Sequence, residues 1–150
     1  MKKLILVSVF FAAILTSCNS GKSSATENVT EEVSNPSSLE GAWELDYISG
    51  PKIAFEGLYP DKKPFVSFNI KDGRVSGNNG CNSFTGNVRI NKNTIAFDDS
   101  MAMTRMFCPG NGETTFMDGL KKVNTYAVTD EGKTLNFITG DIAIMRFQKK

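Results

Sequence analysis

The feature that most limits what this chain can become is a recurrence of short runs in which apolar and polar side chains alternate, each cut off by glycine, asparagine or aspartate. Alternation with a period of two puts every second side chain on one face of a strand, so it specifies half-buried β-structure. Trp43, Leu45 and Tyr47 alternate with Glu44, Asp46 and Ile48. Val66, Phe68 and Ile70 share one face, and Val88 and Ile90 alternate with Asn87, Arg89 and Asn91. Asn91-Lys92-Asn93 turns the chain into Ile95 and Phe97, and Asp130-Glu131-Gly132 leads into Leu135 and Phe137. On the last strand Ile142, Ile144 and Arg146 oppose Ala143, Met145 and Phe147. Lys71-Asp72-Gly73 and Gly140-Asp141 read as hairpin turns, because Gly and Asp tolerate the positive φ angles a tight turn needs.

One segment breaks the period. In ETTFMDGLKKVNTY, from Glu113 to Tyr126, Phe116, Leu120 and Val123 fall at helical spacing, which Ala127 continues. Asn111 suits the N-cap, and Glu113 suits the positive end of the helix dipole. Gly119 weakens such a helix by about 1 kcal/mol relative to alanine. The expectation is about four turns of amphipathic helix packed on a curved antiparallel sheet.

Ahead of the folded part stands an address. Met1, Lys2 and Lys3 precede an almost wholly apolar stretch, LILVSVFFAAIL, that ends in Leu15-Thr16-Ser17-Cys18. It is too short for a permanent membrane span and has the layout of a secretory signal peptide, residues 1–17. Leu-Thr-Ser-Cys also resembles a lipobox, the bacterial lipoprotein processing site. That resemblance implies cleavage before Cys18 and acylation of Cys18, hence a membrane-anchored protein of the bacterial cell envelope. The alternative is an ordinary secretory signal with a chance cysteine. Residues 19–38 carry Ala25 and two valines as their apolar side chains, too few to bury, and read with Cys18 as a flexible tether, residues 18–38. The remainder, 39–150, is the folded domain.

The composition removes several functions. There are no histidines, which excludes imidazole-ligated metals, Ser-His-Asp and Cys-His nucleophiles and histidine pH switching. A formal charge of +1 gives no field to gather nucleic acid. Eleven Phe against one Trp and three Tyr point to a core of apolar rings with few polar handles.

Two segments carry the remaining cysteines. GNNGCNSFTG, residues 77–86, reads as backbone architecture. Gly77, Gly80 and Gly86 allow unusual backbone or close approach, Asn78, Asn79, Asn82 and Ser83 can bond a bending backbone, and Phe84 anchors the bend in the core. A phosphate cradle is the sharper reading, but the stretch lacks a Gly-Lys-Ser/Thr ending and no helix signal follows. In an envelope compartment Cys81 and Cys108 pair as a disulfide across 27 positions, worth roughly 3.5 kcal/mol by chain entropy; the alternative is two buried free thiols. MAMTRMFC, residues 101–108, offers Met101, Met103, Met106 and Cys108 as soft ligands for Cu(I), against core packing by adaptable thioethers. Arg105 within this apolar run needs a partner, with Glu113 or an exposed carbonyl edge as candidates. A structural ion pair competes there with ligand binding.

These residues together resemble a known family. Gly41-x-Trp43-x-Leu45, then Gly80-Cys81-Asn82-Ser83-Phe84-Thr85-Gly86, then Met103-Thr104-Arg105-Met106 with Cys108, then Glu113 and Phe116 resemble the META domain of HslJ-like lipoproteins, over essentially Leu39 to Phe147. The resemblance implies a small α+β fold with an antiparallel, partly barrel-like sheet and one helix, in an envelope protein linked to heat or other stress. It brings no catalytic residues and no cofactor. The motif residues Asn82, Phe84, Gly86, Thr104, Arg105 and Glu113 are the candidates for binding. The function expected is a non-enzymatic, membrane-anchored binding or assembly module with an envelope protein as partner. A carrier for a small apolar ligand is the alternative, since a curved sheet and helix can enclose a cavity. Asp98, Asp99, Asp72 and Glu56 form no recognisable acid/base pair, which disfavours an enzyme.

Overall fold

The computed structural model describes residues 35–150. The expected signal peptide, the expected acylation site Cys18 and the expected tether up to Ser34 lie outside the described residues. Pro36–Leu39 form one 3-10 turn, capped where the Ser37 amide donates to Asn35 Oδ1 at 3.1 Å, and Leu39 is fully buried. The described fold thus begins a few residues ahead of Leu39.

Nine strands follow: β1 (Gly41–Ile48), β2 (Phe65–Asn69), β3 (Arg74–Asn78), β4 (Ser83–Asn91), β5 (Thr94–Phe97), β6 (Ala102–Met103), β7 (Thr125–Thr129), β8 (Thr134–Thr139) and β9 (Ile142–Lys149). Every pairing is antiparallel. The ring runs β1-β2-β3-β4-β5-β7-β8-β9 and returns to β1, so the sheet closes into an eight-stranded barrel. β6 pairs with β4 further along the edge that β5 occupies, so it continues β5 after an irregular break. The thinnest seam joins β5 to β7, where only Thr94 and Thr125 pair and the amides of Ile95 and Tyr126 bond Asn124 O and Asn93 O. A single-turn helix, α1 (Phe55–Leu58), and an 11-residue helix, α2 (Gly112–Lys122), complete the fold.

The interior is built from the residues that alternation predicted. Val66, Phe68, Val88, Ile95, Leu135, Phe137, Met145 and Phe147 are buried. Phe rings run through it in contact: Phe137 and Phe147 meet edge to face with centroids 5.0 Å apart, as do Phe147 and Phe116 at 6.4 Å, and Phe116 and Phe84 are tilted at 5.9 Å. Such offset contacts add to the burial of the rings themselves. The buried Trp43 indole N–H donates to Leu39 O at 2.8 Å, which ties the 3-10 turn to β1.

Two sequence expectations fail for physical reasons. In β1 the register against β9 shifts between Leu45 and Tyr47, so Asp46 is an extra residue. This bulge flips the alternation: Tyr47 is 45% exposed beside Arg146, and Ile48 takes its place in the core. The second concerns α2, which ends at Lys122 instead of continuing to Tyr126. Val123 turns to φ −65°, ψ 133°, and the Asn124 amide donates to Ile138 O at 3.1 Å. Thr125, Tyr126 and Val128 favour a pleated strand, and the β8 ladder claims them, Ala127 included. Phe116 and Leu120 do point inward, but Asn111 caps without its side chain. Gly119 is the residue of close approach: a Cβ there would stand 2.8 Å from Met145 Sδ.

Candidate functional site

The two cysteine-bearing segments meet on one side of the barrel. Cys81 and Cys108 form a disulfide with Cα atoms 6.1 Å apart. The bend before β4 is held by its own asparagines. Asn78 Oδ1 accepts from the Gly80 amide at 3.0 Å; Asn79 Oδ1 accepts from the amides of Cys81 at 3.1 Å and Asn82 at 2.7 Å. Side-chain carbonyls thereby satisfy amides that a bend would strip from any ladder. Gly80 sits at φ +96°, and a Cβ on it would meet the Tyr59 ring at 2.7 Å. Its positive φ and that close approach both exclude larger residues.

Asn82 is the hub. Its side chain is 1% exposed and uses its full bonding capacity. Oδ1 accepts from Thr104 Oγ1 at 2.8 Å and from the Met106 amide at 2.7 Å. Nδ2 donates to Glu113 Oε2 at 2.9 Å and to Met106 O at 3.1 Å. Thr104 Oγ1 in turn accepts from the Ser83 amide at 3.1 Å, and the Thr104 amide donates to Ser83 O at 3.0 Å. Phe84 anchors β4 in the core against Phe116, and Gly86 leaves room for Met101, whose Cγ would lie 2.5 Å from a Cβ there. The motif residues Asn82, Thr104 and Glu113 are therefore brought into one polar cluster, with Phe84 and Gly86 shaping the strand beneath it.

Arg105 is not part of that cluster. Glu113 bonds Asn82, and Arg105 is exposed and enters none of the ion pairs among the described residues. The reason is that residues 102–107 are not a core run at all. They are exposed, with Met106 at 60% and Phe107 at 94%, so an arginine here needs no internal partner. Only Ala102 and Met103 form regular strand. Met103 Sδ accepts from the buried Asn79 Nδ2 at 3.3 Å, and Met101 alone of the segment's methionines packs against the core. The Cu(I) reading loses its thiolate, because Cys108 is spent in the disulfide. Among the described residues no group of three or more His, Cys, Asp or Glu is placed to hold a metal ion.

Sequence reasoning missed Tyr59 and Phe107. Tyr59 is buried and donates from its hydroxyl to Gly112 O at 3.0 Å; loss of solvent pushes its phenol up to about 12. Beside it a cleft of about 150 Å³ is lined by Tyr59, Lys62, Gly80, Cys81, Phe107 and Glu113. Nothing local marks Phe107 as exposed, since a phenylalanine beside a cysteine ordinarily reads as core. The carboxylates considered for catalysis are otherwise engaged or solvated: Asp98 accepts from Arg89 at 2.7 Å and Asn87 at 2.8 Å, Asp72 accepts from Asn69 at 2.8 Å, and Glu56 is exposed.

An eight-stranded antiparallel barrel with one helix longer than a single turn, its β6 segment stapled by a disulfide and an asparagine clamp, defines a small all-antiparallel α+β domain. The META domain family model matches residues 37–150, and the chain belongs to that family. It is similar to a protein from Burkholderia xenovorans solved by NMR, at 19% identity and TM-score 0.61, covering 86% of this chain and 97% of that one. A second NMR structure matches at 21% identity and TM-score 0.54, covering 77% and 93%. These likenesses speak for the fold. No curated protein matches the chain.

Proposed function

We propose that this META-domain protein is a non-enzymatic binding module of the HslJ-like kind, held to a bacterial envelope membrane by acylated Cys18 and serving envelope-protein assembly or a stress response. One observation carries the reading. A disulfide, a fully bonded buried asparagine and two asparagine-built turns converge on a loop whose own side chains, Arg105, Met106 and Phe107, go to solvent. Ordering a loop costs conformational entropy, and Arg, Met and Phe are the residue types enriched at protein interfaces. The alternative, a carrier of small apolar ligands, finds little support, because Phe rings occupy the space between sheet and helix. The test is a photo-crosslinking residue at position 107 in intact cells, with the exposed Ile142 as control. Position 107 is expected to capture one defined protein that position 142 does not, and Cys18→Ser is expected to release the protein from membranes. Capture of the same abundant bystanders from both positions would defeat the reading.

A further inference from the structure

A barrel whose strands are paired along their whole length has no free edge, but here β6 continues β5 along the same edge of β4, and the pairing of that edge to β7 stops at Thr94. Among the described residues β6 pairs only with β4. The Thr104 amide bonds Ser83 O, which makes that pair a hydrogen-bonded one. By antiparallel alternation the Ala102–Thr85 pair is bonded too and the Met103–Phe84 pair is not. The N–H and C=O of Met103 therefore point away from β4. At Met106 both backbone groups go to the Asn82 side-chain amide, which stands in for the next peptide of a partner strand. The ladder thus continues beyond the regular strand. Ala102, Thr104 and Met106 bond inward, and Met103 and Arg105 present their backbone outward. Among the described residues no hydrogen bond outside the ladders uses the N–H or C=O of Met103 or Arg105, and every residue from Ala102 to Met106 is exposed.

We propose that this outer edge accepts one further strand: an extended acidic segment of a partner protein, which bonds the main chain of Met103 and Arg105 and sets a carboxylate against the Arg105 guanidinium. This deepens the binding-module reading and rests on it. Charge selects the occupant. Arg105 has no ion-pair partner among the described residues, so a carboxylate opposite it gains a cross-strand pair. A second copy of the chain is disfavoured by the same residue, because antiparallel self-pairing would make two Arg105 side chains opposite or diagonal neighbours. Phe107, standing free beside the edge, offers apolar area to the incoming strand.

The experiment titrates the full chain in detergent with synthetic peptides of alternating Val and Thr around a central Glu. Matched peptides carry a central Lys, or N-methyl groups on alternate amides. Amide exchange at Met103 and Arg105 is expected to slow by roughly tenfold or more with the Glu peptide. N-methylation of the bonding edge is expected to weaken binding about tenfold, since two or more main-chain bonds are lost. Glu is expected to be preferred over Lys by roughly two- to fivefold, and Arg105→Glu to invert that preference. Binding indifferent to N-methylation, protection confined to other residues, or a peptide-free dimer protecting the same amides would each overturn the proposal. If crosslinks from position 107 persist while the edge amides stay unprotected, the strand edge alone fails and the binding module stands.

Discussion

The wall formed by β1, β9 and β8 and the edge formed by β6 are held in different ways. In the wall, backbone ladders run the length of the strands, with β8 paired to β9 from Thr134 to Thr139 and β9 to β1 from Trp43 to Ile48. Beneath them Trp43, Leu45, Leu135, Phe137, Met145 and Phe147 are wholly buried. The edge has two paired residues and no core beneath Arg105, Met106 or Phe107. Its order comes from polar side chains and one covalent bond. The lesson is that the wall is ordered by the hydrophobic effect, which hides what it orders, whereas the clamp orders a segment and leaves it in water. Only the second kind of support leaves the ordered segment accessible from solution.

Substitutions probe that contrast. Phe137→Ala is expected to have the largest effect, a loss of about 3–5 kcal/mol in urea unfolding, because it opens a cavity where Phe68, Phe97 and Phe147 meet. A loss under about 1 kcal/mol would mean that the wall can collapse around the gap. Replacing Cys81 and Cys108 together by serine is expected to cost about 2–4 kcal/mol globally. Hydrogen exchange should accelerate first at residues 101–108 while β8 and β9 keep their protection; uniform acceleration would erase the distinction between the two regions. Phe107→Ser is expected to stay within about 0.5 kcal/mol of the parent, because the ring is 94% exposed. A larger loss would show that Phe107 supports the fold.

The wall was largely legible beforehand because burial on one face of a strand writes a period of two into the chain. Val66 with Phe68 and Met145 with Phe147 fall inside as that period requires. It failed where one inserted residue, Asp46, shifted the phase, and nothing in Trp43 to Ile48 announces a bulge. It failed again at Val123, where a helical spacing that ran on through Ala127 yielded to a waiting strand partner. At the site, pairing of the cysteines was anticipated from their count and an expected envelope compartment, and the asparagine turns from their chemistry. The exposure of Arg105 and Phe107 did not follow, because an apolar run looks the same in a core and on a presented edge.

The chain alone determined its alternating strands, its turns, the inward face of the helix and the absence of histidine chemistry, since these depend on residues near one another in sequence. Closure of the barrel, the true end of the helix, the partners of Asn82 and the outward face of β6 were decided only in three dimensions. Each depends on which distant segment arrives to satisfy a backbone group, and that competition is settled by packing.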